Sequence, residues 1–286
     1  MPVLRNLVLD GATRLSLGPH PERAHQDAEA LVLELLRKNK AWLLAHGDEE
    51  LSSSEAGLYT EMLDRRYRGE PIQYITGEAE FYGLPFRVTP EVLIPRPETE
   101  HLVEKVLELA ACYAEPRIVD VGTGSGIIAV ALAHKLPAAN LTAIDLSSSA
   151  IAIAKENAER NGVAGRIRFH EGDLLAPVAE ERFEIVVSNP PYVPEADHAS
   201  LAVEVRSYEP ALALFAGDDG LEVYRRLIPA AFAALTPGGY VVLEIGYDQD
   251  EAIRALLAAS GFGQIEFVSD LQGIPRVACA QKRQSQ

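Results

Sequence analysis

The spacing of apolar and polar positions changes along the chain, and each change marks a different kind of element. Within residues 1–80, Ala28 to Leu36 and Glu55 to Leu63 repeat apolar side chains at three-to-four spacing, the period of an amphipathic helix. Ser52, Ser53 and Ser54 stand just before the second stripe and offer side-chain oxygens to the free N–H groups of a first helical turn. These features predict a small helical domain over residues 1–80, suited to scaffolding or partner docking and carrying no visible chemistry. From Gly69 the texture shifts. Phe81 to Val88 reads as a short hairpin, and Ile94-Pro95-Arg96-Pro97-Glu98-Thr99-Glu100 as a proline-punctuated run, so residues 81–100 form a hinge and connector.

Beyond Glu100 short apolar runs alternate with helical patterns. Strands are expected at Arg117 to Val121, Leu141 to Ile144, Ile167 to His170, Phe183 to Val187 and Tyr240 to Ile245. Helices are expected at Glu100 to Leu109, Ile127 to Lys135, Ser149 to Arg160, Leu221 to Leu235 and Asp250 to Ala259, with Ser147-Ser148-Ser149 capping the third of these. Such alternation builds an α/β domain around a doubly wound, mostly parallel sheet. Gly263 to Val268 and Val277 to Ala280, joined by a turn, add an antiparallel hairpin at the end of this domain over residues 101–286.

Composition narrows the class. With 48% hydrophobic and 24% charged residues the 286-residue chain reads as an ordinary globular protein. Its longest apolar runs, such as Ile127 to Ala133, are far short of the ~18 to 20 residues a bilayer span needs. Arg5, Asp10 and Arg14 interrupt the N-terminal apolar runs, unlike a secretory or transit peptide, so a cytoplasmic location is expected. Cys112 and Cys279 are the only cysteines, and neither a disulfide framework nor a metal site is expected. Residues 1–90 hold 10 basic and 14 acidic side chains, the remainder 16 and 28, for a net charge of −16. A protein that binds nucleic acid gains affinity by neutralising phosphates, so the acidic remainder argues against that partner and against a membrane surface, and favours a protein one.

Candidate chemistry begins where the first strand of the alternating region ends. Val119-Asp120-Val121-Gly122-Thr123-Gly124-Ser125-Gly126 passes from strand to helix, the context in which a glycine-rich loop approaches a ligand. The spacing is one residue shorter than the dinucleotide fingerprint, and the charge of Asp120 suits a cationic amino group better than a pyrophosphate. Asp145 follows the next strand, 25 residues after Asp120, where a carboxylate accepts hydrogen bonds from both hydroxyls of a ribose; Leu146 adjoins it. Glu171-Gly172-Asp173-Leu174 is a lid for a base, with Asp173 at an exocyclic amine and Leu174 on the ring face. Together these point to a nucleoside ligand.

Asn189-Pro190-Pro191-Tyr192 follows the fourth strand, at the carboxyl edge of the sheet where ligands of this architecture bind. An amide or aromatic amine is a poor nucleophile because its lone pair is delocalised. The Asn189 side-chain oxygen and the Pro190 carbonyl, each accepting one N–H, would orient such a nitrogen toward a methyl donor. Pro191 fixes the backbone, and Tyr192 packs on a planar target. Asn189 and Pro190 are thus the expected catalytic groups, and no strong base is needed.

Gly69-Glu70-Pro71-Ile72-Gln73-Tyr74-Ile75-Thr76-Gly77, Phe81-Tyr82-Gly83, Leu93 to Glu100, Asp120 to Gly126 and Asn189 to Tyr192 together resemble the HemK/PrmC family of release-factor glutamine methyltransferases, over essentially the whole chain. The resemblance implies a Rossmann-like, seven-stranded class I methyltransferase domain preceded by a helical bundle that docks the substrate protein. It also implies S-adenosyl-L-methionine as cofactor, S-adenosyl-L-homocysteine as product, and methylation of the glutamine in the Gly-Gly-Gln motif of class-1 peptide chain release factors. Asn189 would touch both substrate and cofactor. Leu174 departs from the family, whose members often carry an aromatic residue there. Arg96, Glu98 and Thr99 either fold over the methionine end of the cofactor or form an ion pair and a helix cap. Three other readings stand beside this one: a glutamine methyltransferase for a ribosomal protein, which would use the same chemistry, an exocyclic-amine methyltransferase for adenine in DNA or RNA, and a nucleoside-binding module without activity.

Overall fold

A computed structural model of the chain describes residues 2–283. The chain divides into two compact units, Met1–Glu78 with Leu201–Tyr208, and Ala79–Ser200 with Glu209–Gln286. The sequence pattern sets the first boundary at residue 80 and gives no sign that a segment near residue 200 joins the first unit.

The first unit is helical: α1 (Leu4–Leu15), α2 (Ala24–Leu36), α3 (Lys40–Ala45), α4 (Ser53–Tyr67), α5 (Ile72–Thr76) and, from the later segment, α9 (Val203–Tyr208). Leu4, Val8 and Leu15 of α1 meet Ala28, Leu31 and Val32 of α2 and Tyr59 and Leu63 of α4 in one buried cluster. Ser52 starts α4 with a reciprocal cap: its hydroxyl accepts from the Glu55 N–H at 3.2 Å and the Glu55 carboxylate accepts from the Ser52 N–H at 2.9 Å, satisfying two otherwise free donors. Arg66, 2% exposed, explains why the later segment belongs here. Its guanidinium donates to Asp27 at 2.6 Å and to Glu204 at 2.9 Å, and a charge taken out of water persists only when it is paired in this way.

The second unit opens with a hairpin, β1 (Glu78–Phe81) and β2 (Leu84–Arg87), followed by α6 (Thr99–Ala110), β3 (Arg117–Val121), α7 (Ile127–Lys135), β4 (Asn140–Asp145), α8 (Ser148–Arg160), β5 (Ile167–Glu171) and β6 (Phe183–Ser188). After α10 (Ala211–Leu214) come α11 (Glu222–Ala234), β7 (Leu235–Glu244), α12 (Asp250–Ala259), β8 (Phe262–Ser269) and β9 (Pro275–Lys282). The seven-stranded sheet has the order β5-β4-β3-β6-β7-β9-β8, parallel except for β9, which runs antiparallel to both neighbours. The alternating side chains of each strand fill two cores. Ile118, Leu141, Ala143, Ile185 and Val187 lie against α6 and α7. Val119, Ile144, Val186 and Val241 lie against Tyr224, Leu227 and Ile228 of α11 and Ile253 and Leu257 of α12. Strand order reverses between β3 and β6, and an open α/β sheet has its ligand crevice at the carboxyl ends of strands beside such a reversal.

Candidate active site

A cavity of about 450 Å³ occupies that crevice. The glycine loop, the ends of β4, β5 and β6, the connector from Glu91 to Arg96, and Pro210 to Ala213 line it.

The loop is held open by backbone bonds from its neighbours: the N–H groups of Gly122 and Thr123 both donate to the Ile144 carbonyl, at 2.8 and 2.9 Å. Asp145 Oδ2 accepts the Gly124 N–H at 2.8 Å and Oδ1 the Ser147 N–H at 2.9 Å. Gly122 and Gly124 have φ of 72° and 55°, and a Cβ at either would meet no atom within 4 Å. The space their missing side chains would fill is therefore open to a ligand. Thr123, Ser125 and Leu146 also line the cavity. Burial raises the Asp145 carboxyl, while the N–H groups of Ser147, Gly124 and Leu146 draw it down.

Asp173 and Leu174 lie on the wall. Asp173 is half exposed and pairs with Arg226 of α11, which shares that wall. Leu174 packs against the core under α11 with φ of 50°, a left-handed conformation costly for a branched side chain. Asn189, Pro190 and Pro191 also line the cavity. Ser188, just before them, donates its hydroxyl to the Val121 carbonyl at 2.6 Å, which fixes the end of β6 against the end of β3. Asn189 Nδ2 donates to Thr99 Oγ1 at 3.2 Å.

Four of the expected residues lie off the cavity wall. Asp120 is fully buried behind the loop, where Oδ2 accepts the Thr123 hydroxyl at 2.6 Å. Burial pushes its carboxyl up to about 7 against the hydrogen bonds of Thr123 and Ala129, and the charge of Asp145 adds to the rise. It therefore orients a wall residue rather than facing a cationic group directly. Gly126 is shut in by Ala154, whose Cβ would lie 3.1 Å from an added Cβ. Tyr192 packs against the core under α11, and its carbonyl accepts from Gln249 Nε2 at 3.0 Å. Glu98 precedes α6 without giving it a side-chain cap.

Of the two uses proposed for the connector, Arg96 shows both features: it lines the cavity and donates to Glu209 at 2.6 Å. Residues without a sequence signal also matter. Asn157 of α8 is fully buried and bonds the Arg87 N–H at 2.6 Å, the Arg87 carbonyl at 3.0 Å and the Ser125 carbonyl at 2.8 Å, tying the hairpin to the glycine loop. Glu244, the last residue of β7, is 2% exposed.

Residues 12–77 match the PrmC N-terminal domain and residues 98–207 the Methyltransferase small domain. The release factor glutamine methyltransferase of Moorella thermoacetica is 43% identical over 282 residues, covering 98% of this chain and 99% of that one. The chain belongs to the release factor glutamine methyltransferase family. Another member, from Geobacter sulfurreducens, is 43% identical over 256 residues, covering 90% of this chain and 89% of its own. The T. thermophilus rRNA methyltransferase RsmC, solved in complex with AdoMet and guanosine, shares the sheet fold with a TM-score of 0.54 at 21% identity, over 72% of this chain and 50% of that one.

Proposed function

We propose that this family member transfers a methyl group from S-adenosyl-L-methionine to the side-chain amide nitrogen of the glutamine in the Gly-Gly-Gln motif of class-1 release factors, leaving S-adenosyl-L-homocysteine. The observation that carries this reading is that one cavity is lined by the open glycine cradle, Asp145 and Asn189-Pro190-Pro191 together. When bound, the cofactor supplies an electrophilic methyl group on a sulfonium sulfur.

The chain's own residues bind and orient. The space beside Gly122 and Gly124, with Thr123 and Ser125, takes the cofactor's amino-acid end; Asp120 acts there by holding the Thr123 hydroxyl, and Gly126 by letting α7 start against α8. Asp145 keeps lone pairs for the ribose hydroxyls beyond the two it spends on backbone N–H groups. Leu146, Asp173 and Leu174 flank the base. Asn189 Oδ1 and the Pro190 carbonyl accept the two N–H bonds of the target amide, and these contacts favour the pyramidal nitrogen of the transition state. Pro191 and Tyr192 fix that backbone, Tyr192 by its packing underneath. The helical unit docks the release factor. A release factor substrate places the reaction in the cytoplasm.

Labelled S-adenosyl-L-methionine is supplied with purified release factor, ribosomal protein or DNA, followed by peptide mass spectrometry. Label on the Gly-Gly-Gln glutamine is expected. Label on ribosomal protein or DNA and none on the release factor overturns the assignment.

A further inference from the structure

We propose that Glu244 and Thr99 form a positioning pair that fixes the Asn189 amide with Nδ2 turned inward and Oδ1 presented to the target. This rests on the reading of Asn189 given above and adds two residues to it. β6 and β7 are parallel neighbours with Ser188 opposite Leu243, so the next residues, Asn189 and Glu244, emerge side by side at the carboxyl edge. Thr99, fully buried, opens α6 beside them, its Oγ1 3.2 Å from Asn189 Nδ2. Glu244 is held at the strand end by Tyr224, whose hydroxyl donates to its carbonyl at 2.6 Å.

The two ends of an asparagine amide have nearly the same shape, so packing alone does not choose between them; hydrogen-bond complementarity does. Burial raises the Glu244 carboxyl, the Thr99 hydroxyl, the charge of Arg276 and the Asn189 amide draw it down, and the charge of Glu98 adds to the rise, while its Oε2 has no hydrogen-bond partner among the described residues. Ionised, as it is above the value of about 7 to which burial raises it, this carboxylate offers only acceptors. It draws the Thr99 proton toward itself, which leaves a Thr99 lone pair for Nδ2, and it opposes any turn that would aim Oδ1 inward. The turned-over amide would set an NH₂ group against the NH₂ group of the target, donor against donor. Such an arrangement loses one of the two acceptors that orient the nucleophile. Glu244 is absent from the cavity wall, so it works through Asn189 and not on the substrate.

Steady-state kinetics on intact release factor test the pair. Thr99→Val keeps the shape of the side chain and removes the hydroxyl; Glu244→Gln keeps the shape and introduces a donor that can pair with an inverted Asn189. Each is expected to lower kcat by about 10-fold or more, with KM for release factor and affinity for S-adenosyl-L-homocysteine close to wild type. Thr99→Ser is expected to restore most of the rate. Placed in an Asn189→Ala background, Glu244→Gln is expected to cost nothing further, because the group it positions is gone. Wild-type kcat in both single variants while Asn189→Ala is impaired overturns the pair and leaves the role of Asn189 standing. An equal loss with and without the Asn189 side chain also overturns it, as it shows Glu244 acting elsewhere. A wild-type rate in Asn189→Ala removes the underlying reading itself. Thermal melts accompany each variant, and if Glu244→Gln melts early, Thr99→Val against Thr99→Ser decides.

Discussion

Asp145 accepts the backbone N–H of Gly124 at 2.8 Å, so the carboxylate at the end of β4 both lines the cavity and holds the glycine loop beside it. The ligand contact proposed for Asp145 and the geometry of the loop are coupled in one side chain. S-adenosyl-L-homocysteine is therefore expected to raise the melting temperature of the wild-type chain, by the equivalent of about 2.7 kcal/mol when it is present at a hundred times its Kd. Asp145→Ala should abolish the shift, and NAD should produce none in either protein. A shift from NAD with none from S-adenosyl-L-homocysteine, in thermal melts run side by side, is the result that contradicts a nucleoside-sulfonium site.

The buried Asp120 makes stability pH-dependent in a stated direction. Its folded pKa, pushed up to about 7 from the ordinary carboxyl value of 3.8 by burial, lies above that of the unfolded chain. Between those values the folded state binds a proton that the unfolded state does not. The stabilisation is thus fully present below about 4 and is lost as pH rises through about 7. Asp120→Asn, which cannot ionise, is expected to flatten this part of the profile of unfolding free energy against pH between 4 and 8. The buried Glu244, also raised to about 7 with burial the largest cause, slopes the same way, so part of the dependence should survive in Asp120→Asn. A variant profile that superimposes on wild type would show that Asp120 does not carry this proton.

Much of the architecture follows from local pattern. β3 and α12 fall at the residues their periodicity predicts, and Ser52 and Ser147 cap α4 and α8 as their positions suggest. What escaped the pattern is non-local. No apolar stripe is singled out at α1, whose Gly11 lies where Tyr59 leaves no room, its hydroxyl 2.5 Å from an added Cβ. β7 starts at Leu235 rather than Tyr240 because it pairs with Phe183 across an irregularity in the register, which no single-strand period encodes. In the site, the motif residues that line the cavity were legible because their residue types recur in local runs at the strand ends. Their supports were not: Asn157 reaches Arg87 across 70 positions, Glu244 has no motif of its own, and residues 91–95 read as a linker although they line the cavity. Asp120 was legible as a carboxylate but not as a buried one.

Two glycines of the loop should fail in opposite ways. At Gly126 a Cβ would sit 3.1 Å from Ala154 Cβ and 3.2 Å from its Cα, at φ of 84°. Left-handed backbone strain of about 1–2 kcal/mol and overpacking of about 1–3 kcal/mol then add, so Gly126→Ala should lower unfolding free energy by roughly 2–5 kcal/mol. Gly124→Ala carries only the backbone strain, since its Cβ would enter open space. It should unfold closer to wild type and instead weaken S-adenosyl-L-homocysteine binding. Denaturant titration and calorimetry on both proteins separate the two effects, and a reversed order would mean that Gly126, not Gly124, borders the ligand.

Asn189 carries the sharpest expectation about rate. Its Nδ2 is taken by Thr99, which leaves Oδ1 as the acceptor that can meet a target N–H across the cavity. Asn189→Ala removes one of two groups that hold the nucleophile, and removal of a single preorganised hydrogen-bonding partner typically costs about 10² to 10³ in turnover, or roughly 3 to 4 kcal/mol of barrier. Because the contact strengthens as the nitrogen becomes pyramidal, the loss should fall on kcat more than on KM. Cofactor affinity should change little, since the glycine loop and Asp145 are untouched. Asn189→Asp keeps an oxygen toward the target but sets a carboxylate beside Glu244, and like charges at that distance raise one of the two pKa values. Its activity should therefore exceed that of Asn189→Ala at low pH, where one carboxyl holds a proton, and fall toward it as pH rises. Single-turnover assays on release factor across pH 6 to 9 read this directly, and glutamine methylation by Asn189→Ala at the wild-type rate would remove Asn189 from the chemistry.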